Sequence, residues 1–173
     1  MQDRNDSEVL AWTNQDLVLY HGTDEAAAAS ITANGVSLRF SRAFLDFGRG
    51  FYMTTSREQA AQWARQRSRL PNSTPPTLMR AAINRNALAG LDALSFVRGS
   101  YDAPDFWSFV DYCRRGGDAH GRPGWYDIVS GPVSLVTFPR RRIRRNSDQL
   151  SFHTAKALTI LNKLKLSFES LSW

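Results

Sequence analysis

GRGFYMTTSREQAAQWA, residues 48–64, is the stretch from which the rest of the chain reads. FYMTT at 51–55 has the aromatic and β-branched make-up of a short strand, and the helix REQAAQWARQRS follows directly. Ser56 and Gln59 stand three apart at the junction, the spacing of a capping box that satisfies the free N–H groups of a new helix end. Gly48 and Gly50 flank Arg49, so residues 36–50 read as a mobile loop returning to the core.

Working outward, LVLYH at Leu17 to His21 is a second short strand. DEAAAASITANG is an alanine-rich helix closed by a left-handed cap at Gly35. Residues 1–16 are a polar lead-in, and residues 17–173 read as one domain, a length within the usual ~100–200 residues. Downstream, LPNSTPP at 70–76 is a surface loop and TLMRAAIN at 77–84 a strand. A helix is expected near Pro104 to Arg115, followed by a glycine-rich loop, GGDAHGRPG, at 116–124. WYDIVSGPVSLVTF holds one or two strands around a Gly-Pro break, PRRRIRR at 139–145 is the densest basic segment, and DQLSFHT at 148–154 alternates as a final strand. Thr154 then caps a last helix, AKALTILNKLKL. Strands and helices alternate irregularly, so the fold class is α+β.

Composition narrows the functional classes. Hydrophobic residues at 42% and charged residues at 22% describe a globular protein with a packed core. Lys and Arg number 22 against 16 Asp and Glu, a net charge of +6 that favours a polyanionic partner. Neither a secretory leader nor an apolar run of the ~18 residues a membrane span needs is visible, so the expected location is the cytoplasm and no membrane partner is expected. The single cysteine, Cys113, has no disulfide partner within the chain and reads as a buried, inert thiol. Three scattered histidines do not match zinc-ligand spacing, and no P-loop or dinucleotide-fold glycine fingerprint occurs.

Three ordered segments, LYHGT at 19–23, GRGFYMTTSREQAAQWA at 48–64 and DQLSFHT at 148–154, resemble the ADP-ribosyltransferases of the poly(ADP-ribose) polymerase and diphtheria-toxin branch. In that branch a His, a Tyr and a Glu come from three separate strands. The wording of FGRGFYMTT, QAAQWA, YDIVSGPV and DQLSFHTAKAL is similar to a short bacterial uncharacterised-domain (DUF3990-like) family often found as toxins. The resemblance spans roughly residues 17–161.

This resemblance implies an ADP-ribosyltransferase fold, a split mixed or antiparallel β core flanked by helices, and NAD as co-substrate. His21 would hydrogen-bond the adenosine ribose, the Gly22 backbone would read the nicotinamide carboxamide, and Thr23 would lie beside the nicotinamide ribose. Tyr52 would pack on the nicotinamide ring, with Trp63 as the opposite wall; a flat ring held between aromatic faces gains about 0.5–1.5 kcal/mol per face beyond burial. Arg42 and Arg49 are candidates for phosphate contact.

The third motif position is Gln149, where the best-known members have glutamate. Glutamine keeps the hydrogen-bonding shape of a carboxylate without its charge, and it cannot act as a general base. Asp148 is a conceivable substitute, although adjacent strand residues face opposite sides. The resemblance implies a toxin transferring ADP-ribose to a macromolecule, with an acidic antitoxin as partner. The basic balance favours RNA or DNA slightly over protein as acceptor, and Arg140, Arg141, Arg142, Arg144 and Arg145 are the candidate nucleic-acid or partner contacts, against the plainer reading of a solvated face. A catalytically silent NAD-, ADP-ribose- or nucleic-acid-binding domain and an NAD glycohydrolase are the alternatives.

Overall fold

The computed structural model describes residues 15–99, 103–117, 126–137 and 140–172. Most of the lead-in, most of the 116–124 loop with His120, and the Arg140 side chain lie outside the described residues.

Strand β1 (Leu17–Asp24) runs past LVLYH through Gly22 and Thr23, because it pairs along its whole length with β3 (Pro76–Ile83), in register from Leu17 opposite Ile83 to Asp24 opposite Pro76. Pro76 opens β3 one residue before the expected TLMRAAIN, at a strand end where a missing N–H does no harm. Asp24 ends β1 and starts helix α1 (Glu25–Asn34), its carboxylate accepting the Ala27 N–H at 2.9 Å. Gly35 closes α1 as the sequence suggests, at a positive φ of 76° but with ψ 176°, so extended and not in the left-handed helical conformation expected.

Strand β2 (Phe51–Met53) leads into helix α2 (Arg57–Arg67). The Ser56 hydroxyl accepts the Gln59 N–H at 3.2 Å, so half of the expected capping box forms. The Gln59 side chain goes elsewhere, pairing with the N–H and C=O of Asp148 at 3.3 and 2.7 Å, which ties the start of α2 to the strand that carries Gln149.

Besides a 3-10 turn at Leu38–Phe40 and the strand within the basic run, short elements without a sequence signal are helix α3 (Arg85–Leu88), strand β4 (Ala93–Ser95) and strand β9 (Ser167–Ser170). Each has three or four residues, too few to display a period, and tertiary pairing stabilises the strands. Helix α4 (Ala103–Arg114) follows β4. Strands β5 (Ile128–Gly131) and β6 (Ser134–Thr137) are divided by Pro132, and the basic run becomes strand β7 (Arg140–Ile143), paired with β6. Strand β8 (Gln149–Phe152) and helix α5 (Ala155–Asn162), capped by Thr154, complete the order before β9. DQLSFHT therefore holds the penultimate strand, not the final one.

The fold is mixed α+β, with one antiparallel sheet ordered β1-β3-β9, a second, mixed sheet ordered β2-β8-β5-β4, and the β6-β7 hairpin. Among the described residues the two larger sheets meet at a single bridge, Tyr20 to Thr54, with N–H to C=O distances of 2.8 and 2.9 Å. Leu19, Met53, Met79, Phe152 and Leu161 share one core, and Phe47, Phe96, Phe106, Val110 and Val129 form a second. Helix α2 lies on β1 at the closest possible range: a Cβ at Gly22 would fall 1.9 Å from the Ala60 carbonyl oxygen and 2.7 Å from the Ala64 nitrogen. Only glycine permits that approach.

Candidate functional site

Beyond the Tyr20–Thr54 bridge the strands part, and His21 sits in the fork. Its Nδ1 lies 2.7 Å from the Tyr52 carbonyl oxygen. A carbonyl only accepts, so Nδ1 carries the proton and Nε2 keeps its lone pair. Burial pushes the His21 pKa down to about 4, outweighing the raising effect of the Tyr52 hydrogen bond, with the Arg67 charge adding to the depression. His21 is thus a neutral imidazole at ordinary pH, one nitrogen fixed to the backbone and the other an acceptor. Tyr20 directs its N–H and C=O at Thr54, so Gly22, two residues on, presents its own pair along the same edge, where the sheets have separated.

Tyr52 is held as firmly. Its hydroxyl donates to the Gly48 carbonyl at 2.7 Å and accepts the Phe47 N–H at 3.0 Å, and burial raises its pKa well above the usual phenol range. The polar end is occupied, which leaves the ring face as its contribution to a ligand. The same two bonds anchor residues 47 and 48, and the Ser41 hydroxyl bonds both the N–H and C=O of Gly50 at 2.8 Å. The segment read as a mobile loop is therefore tethered at its C-terminal end.

His21, Thr23, Arg42, Tyr52, Trp63 and Gln149 line one cavity of about 730 Å³, within the ~300–1,000 Å³ common for ligand pockets. Residues more than a hundred positions apart in sequence, such as His21 and Gln149, thus share one chamber. Phe40 and Phe44, 76% and 64% exposed, stand at its rim next to Arg42. Arg67 also lines the cavity and pairs with Asp24 at 2.7 Å. Arg67 belongs to no motif in the sequence; its one signal is that it follows Trp63 by four positions and so shares its helix face.

Asp46, 6% exposed, also lines the cavity and is a second residue without a motif signal in the sequence. Its carboxylate accepts from Arg114 (2.9 and 2.5 Å), the Ser134 hydroxyl and N–H (each 2.8 Å) and Gln149 Nε2 (2.8 Å). Gln149 Nε2 also donates to the Pro132 carbonyl at 3.0 Å. Asp46 comes from an irregular segment, where no period marks a buried face. Its one sequence signal is an acid enclosed by the apolar pair Leu45 and Phe47.

Other expected residues fall elsewhere. Gly22 does not line the cavity through its own surface, and the Arg49 side chain is exposed outside it. Asp148 is occupied by the Thr54 hydroxyl, and by the Thr55 hydroxyl and N–H at 2.5 and 3.0 Å, so it does not stand in for Gln149. In the basic run, Arg141 pairs with Asp111 and lies over the Trp107 ring, Arg144 bonds Gln62 at 2.5 Å, and Arg142 and Arg145 are exposed; none of them lines the cavity. Cys113 is buried beside Asp46, and burial above all lifts its pKa to about 12, so it remains an unreactive thiol. His153 is buried and bonded to the Arg49 carbonyl and Ser151 hydroxyl, each at 2.6 Å, a structural role. No helix among the described residues is long and apolar enough to cross a membrane.

Fold and site together define a mixed α+β protein whose two sheets splay from a single bridge around a ligand-sized cavity. The chain belongs to the family described as protein of unknown function (DUF3990), whose model matches residues 17–137. That match takes in His21, Asp46, Tyr52 and Trp63 and ends before Gln149. No curated protein matches the chain.

Proposed function

We propose that this protein is an NAD-dependent ADP-ribosyltransferase that moves ADP-ribose from NAD to a macromolecule and releases nicotinamide. The observation that carries this reading is the meeting of His21 and Tyr52, 31 residues apart, through one hydrogen bond in the wall of a cavity that Gln149 also lines. Those are the three motif positions of the resemblance, and the two splayed sheets are read as the split β core of the transferase fold.

Each residue has a task its environment suits. His21 Nε2 accepts a ribose hydroxyl, and the N–H and C=O of Gly22, on the strand edge that Tyr20 turns toward Thr54, pair with the carboxamide. Thr23, buried at the cavity wall, adjoins the nicotinamide ribose. The Tyr52 ring and Trp63 bracket the nicotinamide, while Arg42 and Arg67 face the diphosphate. Gln149 orients the nicotinamide ribose. The C1'–nitrogen bond breaks with its electron pair leaving on nicotinamide, and the acceptor's nucleophile bonds C1' and gives up its proton to solvent. Positioning supplies most of the acceleration.

For the acceptor, RNA or DNA is favoured over protein. Exposed Phe40 and Phe44 beside Arg39 and Arg42 offer stacking faces among cations, where a base gains about 1–3 kcal/mol by stacking. On the same reading the chain is a bacterial toxin acting in the cytoplasm, and its charge of +6 suits an acidic antitoxin.

Incubation with NAD labelled on its adenosine half tests the proposal. Label on RNA, DNA or protein is the expected result. Free ADP-ribose alone would make the protein a glycohydrolase, and intact NAD would make it a binding domain. His21→Ala and Tyr52→Ala must each reduce consumption strongly; full activity in both would overturn the site.

A further inference from the structure

Gln149 and Asp46 form a unit whose chemistry follows from which atoms are already used. Gln149 is 4% exposed and its amide nitrogen has two hydrogens. One points at Asp46, at 2.8 Å, and the other at the Pro132 carbonyl, at 3.0 Å. Both partners are acceptors only, so the opposite amide rotamer would set an oxygen against two oxygens. The orientation of the side chain is therefore decided by its surroundings. Asp46 in turn is held by Arg114 and by both donors of Ser134, a fully satisfied buried network, and such networks are rigid.

We propose that Asp46 is a positioning residue that locks Gln149 with its amide hydrogens turned into the protein and its Oε1 offered to the cavity, as an acceptor for a ligand hydroxyl. The carboxylate expected at the third motif position is thereby displaced by one hydrogen bond: Asp46 carries the charge and polarises the amide, and Gln149 carries the acceptor oxygen. This also explains why glutamine stands at 149. A glutamate there would put a second carboxylate within hydrogen-bond distance of Asp46 and against the Pro132 carbonyl, with like charges repelling. The identification of the hydroxyl as the nicotinamide ribose 2'-OH rests on the proposed transferase reading; the orientation itself does not.

Two measurements on the full chain separate these. In ¹⁵N–¹H spectra, the side-chain amide assigned to Gln149 by its loss in Gln149→Ala should exchange slowly with solvent in the wild type and rapidly in Asp46→Asn. A rapidly exchanging wild-type amide would overturn the proposal whatever the ligand. In NAD turnover, Asp46→Asn should lower kcat about 10- to 100-fold with a smaller change in KM. In a Gln149→Ala background, where no amide remains to be oriented, it should have little further effect. An equal loss in both backgrounds would make Asp46 merely structural. If Asp46→Asn does not fold, Gln149→Glu decides: turnover at or above the wild-type level would overturn the proposal, and a drop of tenfold or more supports it. Wild-type protein that leaves NAD intact but shows the slow amide would sink the transferase reading and leave the Asp46–Gln149 lock standing.

Discussion

The two groups of residues at the cavity, the fork and the Asp46 network, are built on opposite electrostatic plans. At the fork, His21, Gly22 and Tyr52 are neutral groups aligned by backbone atoms: one carbonyl fixes the imidazole and one N–H with one carbonyl fixes the phenol. On the same cavity wall, Asp46, Arg114, Ser134 and Gln149 form a buried charged network in which side chains fix one another. A neutral side tolerates small changes locally. A network of mutually dependent groups fails as a unit, because removing one partner leaves the others buried without compensation.

The largest effect is expected at the fork, where tolerance ends at one atom. Gly22→Ala adds a Cβ 1.9 Å from the Ala60 carbonyl oxygen, and backbone cannot yield as a flexible side chain would. Helix α2 must move off β1, at a cost of about 3 kcal/mol or more. Urea unfolding should show the midpoint falling accordingly, and NAD consumption should drop with it, since Trp63 and Arg67 ride on α2. A variant of wild-type stability would mean that α2 does not seat on Gly22, and the fork would lose its rigid wall.

That contrast also explains what the sequence could disclose. The fork was readable because its residues sit on short strands and next to a helix start, each with local signals: HGT after an apolar run, FYM before the Ser56 cap. Helix α2, its cap and the Gly35 terminus follow from the same local chemistry. Gln149 was readable as a position, but its partner was not, because Asp46 is brought 103 residues across the chain by an irregular segment with no period to mark it. The strand within the basic run was hidden for a related reason: its arginines carry no strand signal, and pairing with β6 makes Arg140–Ile143 a strand on which Arg141 answers Asp111, while Arg144, just beyond it, answers Gln62 and Arg142 and Arg145 stay exposed. β9 was hidden because its pairing with β3 is decided by what surrounds it and not by its own four residues.

Tyr52 is where the two plans touch, since its hydroxyl holds Phe47 and Gly48 immediately after Asp46. Tyr52→Phe keeps the ring that faces the cavity and orphans one N–H and one C=O, a cost of about 2 kcal/mol. Stability should fall by that amount while the affinity for NAD stays near the wild-type value and turnover declines, as the segment carrying Asp46 loosens and Gln149 loses its orientation. Calorimetric binding and steady-state kinetics on the same sample read the two separately. If binding and turnover fell equally, the hydroxyl would be contacting the ligand side and not linking the two regions.

The smallest effect concerns protonation and tests whether the fork is neutral at all. The His21 pKa of about 4 lies below its unfolded value of about 6.5, so between these pH values the unfolded chain takes up a proton that the folded protein refuses. His21 therefore costs nothing at pH 7, and its penalty grows as the pH falls through 6.5 and levels off below about 4. At pH 5 this amounts to roughly 1–2 kcal/mol, and His21→Gln, which cannot charge, should remove that part of the acid sensitivity. The His21 ring protons, followed by NMR, should titrate near pH 4 and not near 6.5. Ligand affinity should hold steady from pH 8 to about 5, because Nε2 remains an acceptor throughout, and should fall only as that nitrogen gains its proton. A midpoint near 6.5 would mean that the fork admits water freely, and the contrast between a neutral side and a charged side would dissolve.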